Sequence, residues 1–490
     1  MSHQSMSHQS MSQPIDKKTF LSLFATVFLP MFLAAVDQTL LATATPAMVS
    51  ELGDIQLSSW IAVGYMLAGA ASVPIYGWLG DQYGRKRMLG IALSIFALGS
   101  LVCALAVNMP GLVAGRIIQG LGSGGLMSLS QALIGELVAP RQRARFQGYF
   151  SALFALSSIG GPVLGGVIVT YLSWQWLFWI NLPLVALALF RLSRLQSSQV
   201  KSARSRIDVF GLLLFPTLMT TIIYWLSAGG HYFAWGSETS LLLLGVFVLL
   251  VVSFVWQQKR VRHSFLPLPL LVRKEIHVPL ISTFLFASCL FGLVFFLPIF
   301  MQIGLGVSAA RSGLLMIPLS AGIITGSFIT GKLIARSGVP KWIPVCGMSV
   351  STLAFLTLAT VDMGPNAVSA VGFLCCLGLG TVMPSTQVLI QTVAGKASLG
   401  RITSMAALSR SLGASVGTAV FGTLIYSQIP GFDASSSIST LLETPQDVVA
   451  DAFQTGYLLA ALFAFTCVLN AARAPLIQLD DYSWATEKSA

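Results

Sequence analysis

The sequence predicts an all-α, polytopic membrane protein with fourteen transmembrane helices, arranged as two six-helix bundles with two additional helices between them. Three observations carry that expectation. The chain of 490 residues is 55% hydrophobic and only 9% charged, whereas a soluble globular chain carries about 25% charged residues. So few charges cannot wet the surface of a soluble enzyme, and they equally exclude a coiled coil or a disordered chain. The apolar residues fall into long runs, and a spanning helix needs about 20 of them. The basic residues cluster between alternate runs, as the positive-inside rule requires of a multi-pass chain.

Residues 1–18 repeat the polar block MSHQS and end in Lys17 and Lys18, which reads as a disordered cytoplasmic leader. Met6 and Met11 offer alternative starts. The apolar stretch from 19 to 36 exceeds the roughly 7–15 residues of a signal-peptide core, so the first helix is expected to be retained. Charge, Gly and Pro bound six spans over 19–43, 59–79, 88–107, 112–135, 146–170 and 176–190, an N-terminal bundle within 19–195. Spans 208–227 and 239–256 form a two-helix insertion with basic flanks within 196–275. Spans 277–301, 312–334, 342–361, 367–391, 402–427 and 452–472 form the C-terminal bundle, 276–473, followed by a cytoplasmic tail, 474–490.

Loop charges support this division. With both termini inside, the inner segments hold 25 of the 28 basic residues and the outer loops hold only Arg311. The outer loops collect Glu51, Asp54, Glu238, Asp362, Asp433, Glu443, Asp447 and Asp451. The expected placement is a bacterial inner membrane with both termini cytoplasmic. The net charge of +11 therefore reports orientation, and nucleic acid is not an expected partner. Cys103, Cys289, Cys346, Cys375, Cys376 and Cys467 lie in apolar runs without metal-type spacing and read as small buried hydrophobes. No cofactor or metal is expected. GLGSGG at Gly120 lies inside an apolar helix with no strand before it, and GSFITGKL at Gly326 ends in Leu333 where a P-loop needs Ser or Thr.

The segment GWLGDQYGRKR from Gly77 has a faded echo in GKLIARSGVPK from Gly331, with Gly77, Leu79 and Gly84 matched by Gly331, Leu333 and Gly338. Each copy follows an even-numbered span into an inner loop, so the two halves read as parallel repeats. On these segments the chain resembles the major facilitator superfamily, and most of all its fourteen-helix drug:proton antiporter branch, over almost its whole length after the leader. The resemblance implies that Gly77, Asp81, Gly84, Arg85, Lys86 and Arg87 form an inner latch in which Arg85 pairs with Glu136, the acid ending the fourth span. Physically, Gly77 permits close helix approach and Asp81 suits the N-terminus of a helix in the other half. Ala335 stands where the second copy would carry its acid, so the latch is one-sided. A purely topogenic basic loop is the plainer alternative.

In the first span, AAVDQTLLATATP is similar to the branch's signature around an acid, and Asp37 is the only acid well inside any span. An Asp at the bilayer centre costs about 2.5–3.5 kcal/mol. Desolvation favours its neutral form and a nearby cation its charged form, so a balanced carboxyl can load and release a proton. GLVAGRIIQGLGSGG matches the family's fourth-helix motif and supplies Arg116 as the cation. Arg116 and Asp37 lie about 6 and about 9 Å below the outer ends of their apolar runs, and Gln119 lies one turn below Arg116 on the same face. An Asp37 that snorkels outward, or an Arg116 that only clamps helices, is the alternative.

Gln38, Gln119, Gln131 and Arg410 are candidate residues of the substrate cavity. SSIGGPVLGGV resembles the motif that marks antiporters, with Ser157, Gly161 and Gly165 at four-residue intervals, Gly166 beside them and Pro162 as a pivot. Ser157 departs from the family's Gly. WQWLFWINLP resembles the opening of the sixth helix, with Gln175 where Arg is usual and Trp174, Trp176 and Trp179 as an interface belt.

Together these features imply proton-coupled export of small amphipathic compounds by alternating access, of the multidrug efflux type. An exporter of an endogenous metabolite such as a siderophore, or an uptake carrier of the same fold, stays open. Arg410 and the lack of acids in the tenth and thirteenth spans favour neutral or anionic cargo. An intramembrane enzyme needs a deep cluster of His, Cys or carboxylates, and this sequence has one deep acid. The expected partners are a small-molecule substrate, protons and the lipid bilayer. A monomer is expected, and a periplasmic adaptor stays open.

Overall fold

The computed structural model describes residues 17–54, 57–58, 60–195, 208–229, 233–261, 268–429 and 445–480. Among them every long element is an α-helix, and strand pairing is limited to one bridge between Gly229 and Phe233. The first half comprises α1 (Lys17–Leu52), α2 (Trp60–Tyr83), α3 (Arg85–Ala104), α4 (Met109–Leu137), α5 (Pro140–Tyr171) and, after a turn at Trp176–Trp179, α6 (Asn181–Arg194). A hairpin of α7 (Val209–Ala228) and α8 (Glu238–Arg260) follows. The second half begins with α9 (Lys274–Ile299), which continues as a π-turn over Phe300–Gly304. It goes on through α10 (Ile317–Ser337), α11 (Trp342–Thr360), α12 (Pro365–Leu379), α13 (Val382–Ala394), α14 (Leu399–Ser427) and α15 (Gln446–Ala472). The leader up to residue 16, the flank 196–207, Asp433, Glu443 and the tail beyond 480 lie outside the described residues.

The helices overrun the apolar runs that foretold them. α1 continues to Leu52, nine residues beyond Thr43, and α15 starts at Gln446, six before Ala452. An apolar run marks what hydrocarbon covers, whereas a helix continues until something caps it. Asn108 caps α4 by accepting from the Gly111 amide at 2.8 Å, with Pro110 in the first turn. Gly338, at φ 68°, closes α10 in the left-handed conformation.

Among the described residues, ten helical stretches are long and apolar enough, by length and composition, to cross a membrane. The expected fourteen exceeds this, and the difference falls on particular helices. α4, α5 and α14 have 29, 32 and 29 residues but are diluted by Gly, Ser and charge. α7 contains the shorter apolar stretch Phe210–Leu226.

Each half has its own core, around Met31, Leu89, Phe96 and Phe146 in the first and Phe286, Met348, Phe355 and Phe453 in the second. The halves meet along two seams, α2 against α14 and α5 against α10. α7 packs on α8 and on both helices of the first seam, where Trp78, Phe215, Leu218, Met219, Met405 and Leu408 cluster. Asp208 pins the hairpin, accepting from the Gly211 amide at 2.8 Å and from Gln258 Nε2 at 3.1 Å. α8 buries only Ser240, Phe254 and Gln258 among its described side chains, as suits a helix facing lipid.

Two sequence expectations are corrected here. Cys346 is exposed while the other five cysteines are buried, because lipid-facing and core-facing positions are equally apolar in sequence. Trp174 is buried and donates Nε1 to Glu51 Oε2 at 2.8 Å, so it belongs to the protein interior, while Trp176 is exposed. A carboxylate at the end of α1 gives the indole its polar partner.

Beyond α15 the chain folds back across both halves. The Leu479 amide donates to Gly338 O at 3.0 Å, and its side chain is buried with Ala144 of α5, Ile334 of α10 and Val388 of α13. Asp480 pairs with Arg141.

Candidate functional site

α1 sends three successive side chains in three directions. Asp37 points inward and is buried, Gln38 is exposed, and Thr39 donates to the Ser157 carbonyl of α5 at 2.9 Å. Asp37 Oδ2 accepts from Arg116 Nη1 at 2.6 Å, and Oδ1 accepts from Gln119 Nε2 at 2.9 Å and Asn181 Nδ2 at 3.2 Å. Ser100 Oγ accepts from the same two amides, at 2.8 Å from Gln119 and 3.4 Å from Asn181. Arg116 is fixed on three further sides: Nε donates to Ile61 O at 3.1 Å, Nη1 donates to Gln119 Oε1, and the guanidinium carbon lies 4.0 Å from the Tyr65 ring centroid.

Asp37, Arg116, Gln119, Ser100 and Asn181 are all at most 4% exposed. This is a water-excluded carboxylate held by one cation and two amides, drawn from α1, α4 and α6. A proton taken up by Asp37 would leave Arg116 as a buried charge without its partner, which is costly.

At the far end of α2 lies a second charged cluster. Asp81 Oδ1 accepts from Arg85 Nη2 at 2.7 Å and from the Gly400 amide at 2.8 Å, and Oδ2 accepts from the Arg401 amide at 2.9 Å. Those two amides open α14, so the carboxylate sits on the N-terminus of a helix in the other half. Arg85 Nη1 donates to Glu136 Oε2 at 2.7 Å, and Nη2 also donates to Lys396 O at 2.6 Å. A Cβ on Gly77 would stand 2.6 Å from Gly400 O, so this crossing requires glycine. Gly84 takes φ 93° between α2 and α3. Lys86 donates to Ser193 O and Leu195 O, closing the end of α6, and Arg87 is exposed.

The remaining candidates are dispersed. A Cβ on Gly161 would collide with Thr39, Gly165 is buried, and a Cβ on Gly166 would meet nothing within 4 Å. Ser157 is buried, and the side chain of Pro162 lies outside the described residues. Gln131 is buried, and its carbonyl accepts from Gln391 Nε2 at 3.3 Å across the halves. Arg410 is half-buried, its Nη2 lying 3.0 Å from Met127 Sδ of the first half. Of the four cavity candidates, Gln38 and Arg410 keep accessible surface, and Gln119 belongs to the Asp37 cluster.

Sequence reasoning missed Asn181, Ser100 and Tyr65. The signal available for Asn181 was a lone amide inside the apolar WINLP. Ser100 and Tyr65 carried none, since small hydroxyls and tyrosines recur throughout membrane helices.

The sequence matches the family model described as Major Facilitator Superfamily over residues 27–418, a stretch that contains Asp37, Arg116, the Asp81 cluster and Arg410. It is 33% identical over 405 residues to the multidrug transporter protein MdtP of Bacillus subtilis, covering 82% of this chain and 75% of that one. It is 35% identical over 406 residues to an uncharacterised MFS-type transporter of Mycobacterium tuberculosis, covering 82% of this chain and 59% of that one. Among solved structures, the human organic anion transporter MFSD10 shares the fold with a TM-score of 0.65 at 16% identity, over 94% of this chain and 100% of that one.

Proposed function

The chain belongs to the major facilitator superfamily, and from that premise we propose that it is a proton-coupled exporter of small amphipathic compounds, working by alternating access. The reading includes fourteen spans, a bacterial inner membrane and both termini on the cytoplasmic side, supported by the 25-to-1 division of loop cations. One observation carries the coupling: the buried Asp37 carboxylate against Arg116 at 2.6 Å. With Asp37 charged, the pair is compensated and α1, α4 and α6 are tied together. A proton arriving from outside neutralises the carboxyl, releases Arg116 and loosens that tie, so substrate leaves outward. Loss of the proton to the cytoplasm restores it.

The Asp81 cluster is the inner gate in this scheme, and its closed contacts correspond to a conformation shut on the cytoplasmic side. The driving force is sufficient, since each charge moved through 100 mV yields about 2.3 kcal/mol. The export direction and the multidrug class draw on the antiporter-like motif at Ser157–Gly166 and on the similarity to the multidrug transporter of Bacillus subtilis. The test is dye efflux from a pump-deficient bacterium expressing the chain. Efflux of the neutral dye Nile red that stops with a protonophore, and stops in Asp37→Asn, is expected. Protonophore-resistant efflux, or full efflux by Asp37→Asn in a normally inserted protein, would overturn the coupling.

A further inference from the structure

At the end of the molecule that carries the Asp81 cluster, the first turns of α9 and the last turn of α15 lie side by side. Ile276 of α9 packs there with Ile402, near the start of α14. Between the two helices is a groove of about 370 Å³, lined by Lys274, His277, Val278, Ile281, Asn470 and Arg473. Asn470 fixes the back wall, its Nδ2 donating to Val278 O at 2.8 Å and to Ser282 Oγ at 2.9 Å. Both amide hydrogens are thereby engaged, which leaves the groove's donors to Lys274, Arg473 and His277. Lys274 and Arg473 are exposed, and among the described residues neither forms an ion pair. Glu275, the acid in the same turn, is not among the lining residues.

Two cations from opposite ends of the second half thus converge on one groove whose deeper wall is apolar, with Ile281 exposed below the basic rim. In water two exposed cations held together repel; at a membrane surface they suit an anion that brings its own apolar tail. Basic pockets between spanning helices recognise anionic headgroups in this way. We propose that this groove binds the phosphate of an acidic phospholipid, with the phosphodiester between Lys274 and Arg473 and an acyl chain lying over Ile281. Occupancy bridges α9 to α15, the first and last helices of the second half, and adds a charge-assisted tie to the one made by Asn470.

The test uses the full chain in detergent, titrated with dioleoylphosphatidylglycerol and read by native mass spectrometry. Wild type is expected to retain the lipid over dioleoylphosphatidylcholine. Lys274→Gln/Arg473→Gln is expected to lose about 30-fold in affinity, while Lys332→Gln/Arg336→Gln, a basic pair on α10, keeps it. Equal retention by wild type and the Lys274/Arg473 variant overturns the proposal, as does equal retention of the zwitterionic lipid. Displacement by inorganic phosphate at matching concentration would assign the groove to a soluble anion and also overturn it. Photolabelling of the unaltered chain with a diazirine phosphatidylglycerol needs no variant to fold. Labelling at Ile281 supports the site, and labelling confined to other helices sinks it.

Discussion

Asn181 Nδ2 lies 3.2 Å from Asp37 Oδ1 and 3.4 Å from Ser100 Oγ, so one amide ties α6 to both α1 and α3. Truncation in Asn181→Ala removes one of the three donors to a buried carboxylate, an interaction worth about 1.5–3 kcal/mol. A lower melting temperature and slower uptake of Nile red into everted vesicles are expected. Asn181→Asp should be worse than alanine in both assays, because it sets a second carboxylate against Asp37. An Asp variant equal to wild type would show that the amide does not hold the site.

Removing either member of the Asp37–Arg116 pair strands the other in a buried site. Asp37→Asn alone is expected to cost about 3–5 kcal/mol of stability. The double variant Asp37→Asn/Arg116→Gln should recover most of that loss in a thermal melt and yet remain inactive in efflux. Recovery of transport along with stability would reduce the pair to a structural clamp.

The contacts of Asp81 hold α2 to the start of α14. Asp81→Asn weakens charged hydrogen bonds of about 1.5–3 kcal/mol each, enough to move the gate toward opening at least about tenfold. Ser404, fully buried beside Gly77, reports this when changed to cysteine in a Cys346→Ser background. Its maleimide labelling should accelerate about tenfold with Asp81→Asn, and likewise with Glu136→Gln. Unchanged labelling rates would argue that the cluster is not a gate.

The glycines divide by the space around them. Gly77→Ala places a methyl 2.6 Å from Gly400 O and should prevent the closed crossing, with loss of transport. Gly166→Ala meets nothing within 4 Å and should be neutral or stabilising by about 0.5–1 kcal/mol, since alanine is the better helix residue. Efflux by both variants at wild-type rates would remove the steric argument for the first crossing.

The returning tail offers a similar contrast. Leu479→Asp buries a charge among Ala144, Ile334 and Val388 and should raise the Ser404→Cys labelling rate. Asp480→Asn breaks a pair whose side chains are 41% and 58% exposed, so it should change that rate little, in line with the worth of surface pairs, about 0–1 kcal/mol.

The candidate site was legible where chemistry forces rare residues into costly places. A lone acid and a lone base deep in apolar runs stand out in sequence, and the structure sets Asp37, Arg116 and Gln119 in contact. Asp81, Arg85 and Glu136 stood out only through the resemblance to the family's loop motif, and they too lie together. Asn181 and Ser100 did not stand out, because lone amides and hydroxyls are cheap within helices. The limits of α1 were misjudged by nine residues because hydropathy reports the bilayer and not the cap. Cys346 and Trp174 were misjudged for a related reason: sequence does not tell the lipid side of a helix from its protein side.

α7 lies on both α2 and α14, so the inserted hairpin roofs one of the two joints between the halves against the surrounding hydrocarbon. The other joint is crossed by Tyr149 and Phe328, edge to ring at 5.2 Å, and Tyr149 remains 38% exposed. Of the two seams, the α5–α10 seam is thus the one the hairpin leaves uncovered. The protein's asymmetry is consequently one of cover; if the proposed exporter takes cargo from the bilayer, a bulky residue placed along α5 and α10 is expected to slow lipid-borne molecules more than water-borne ones.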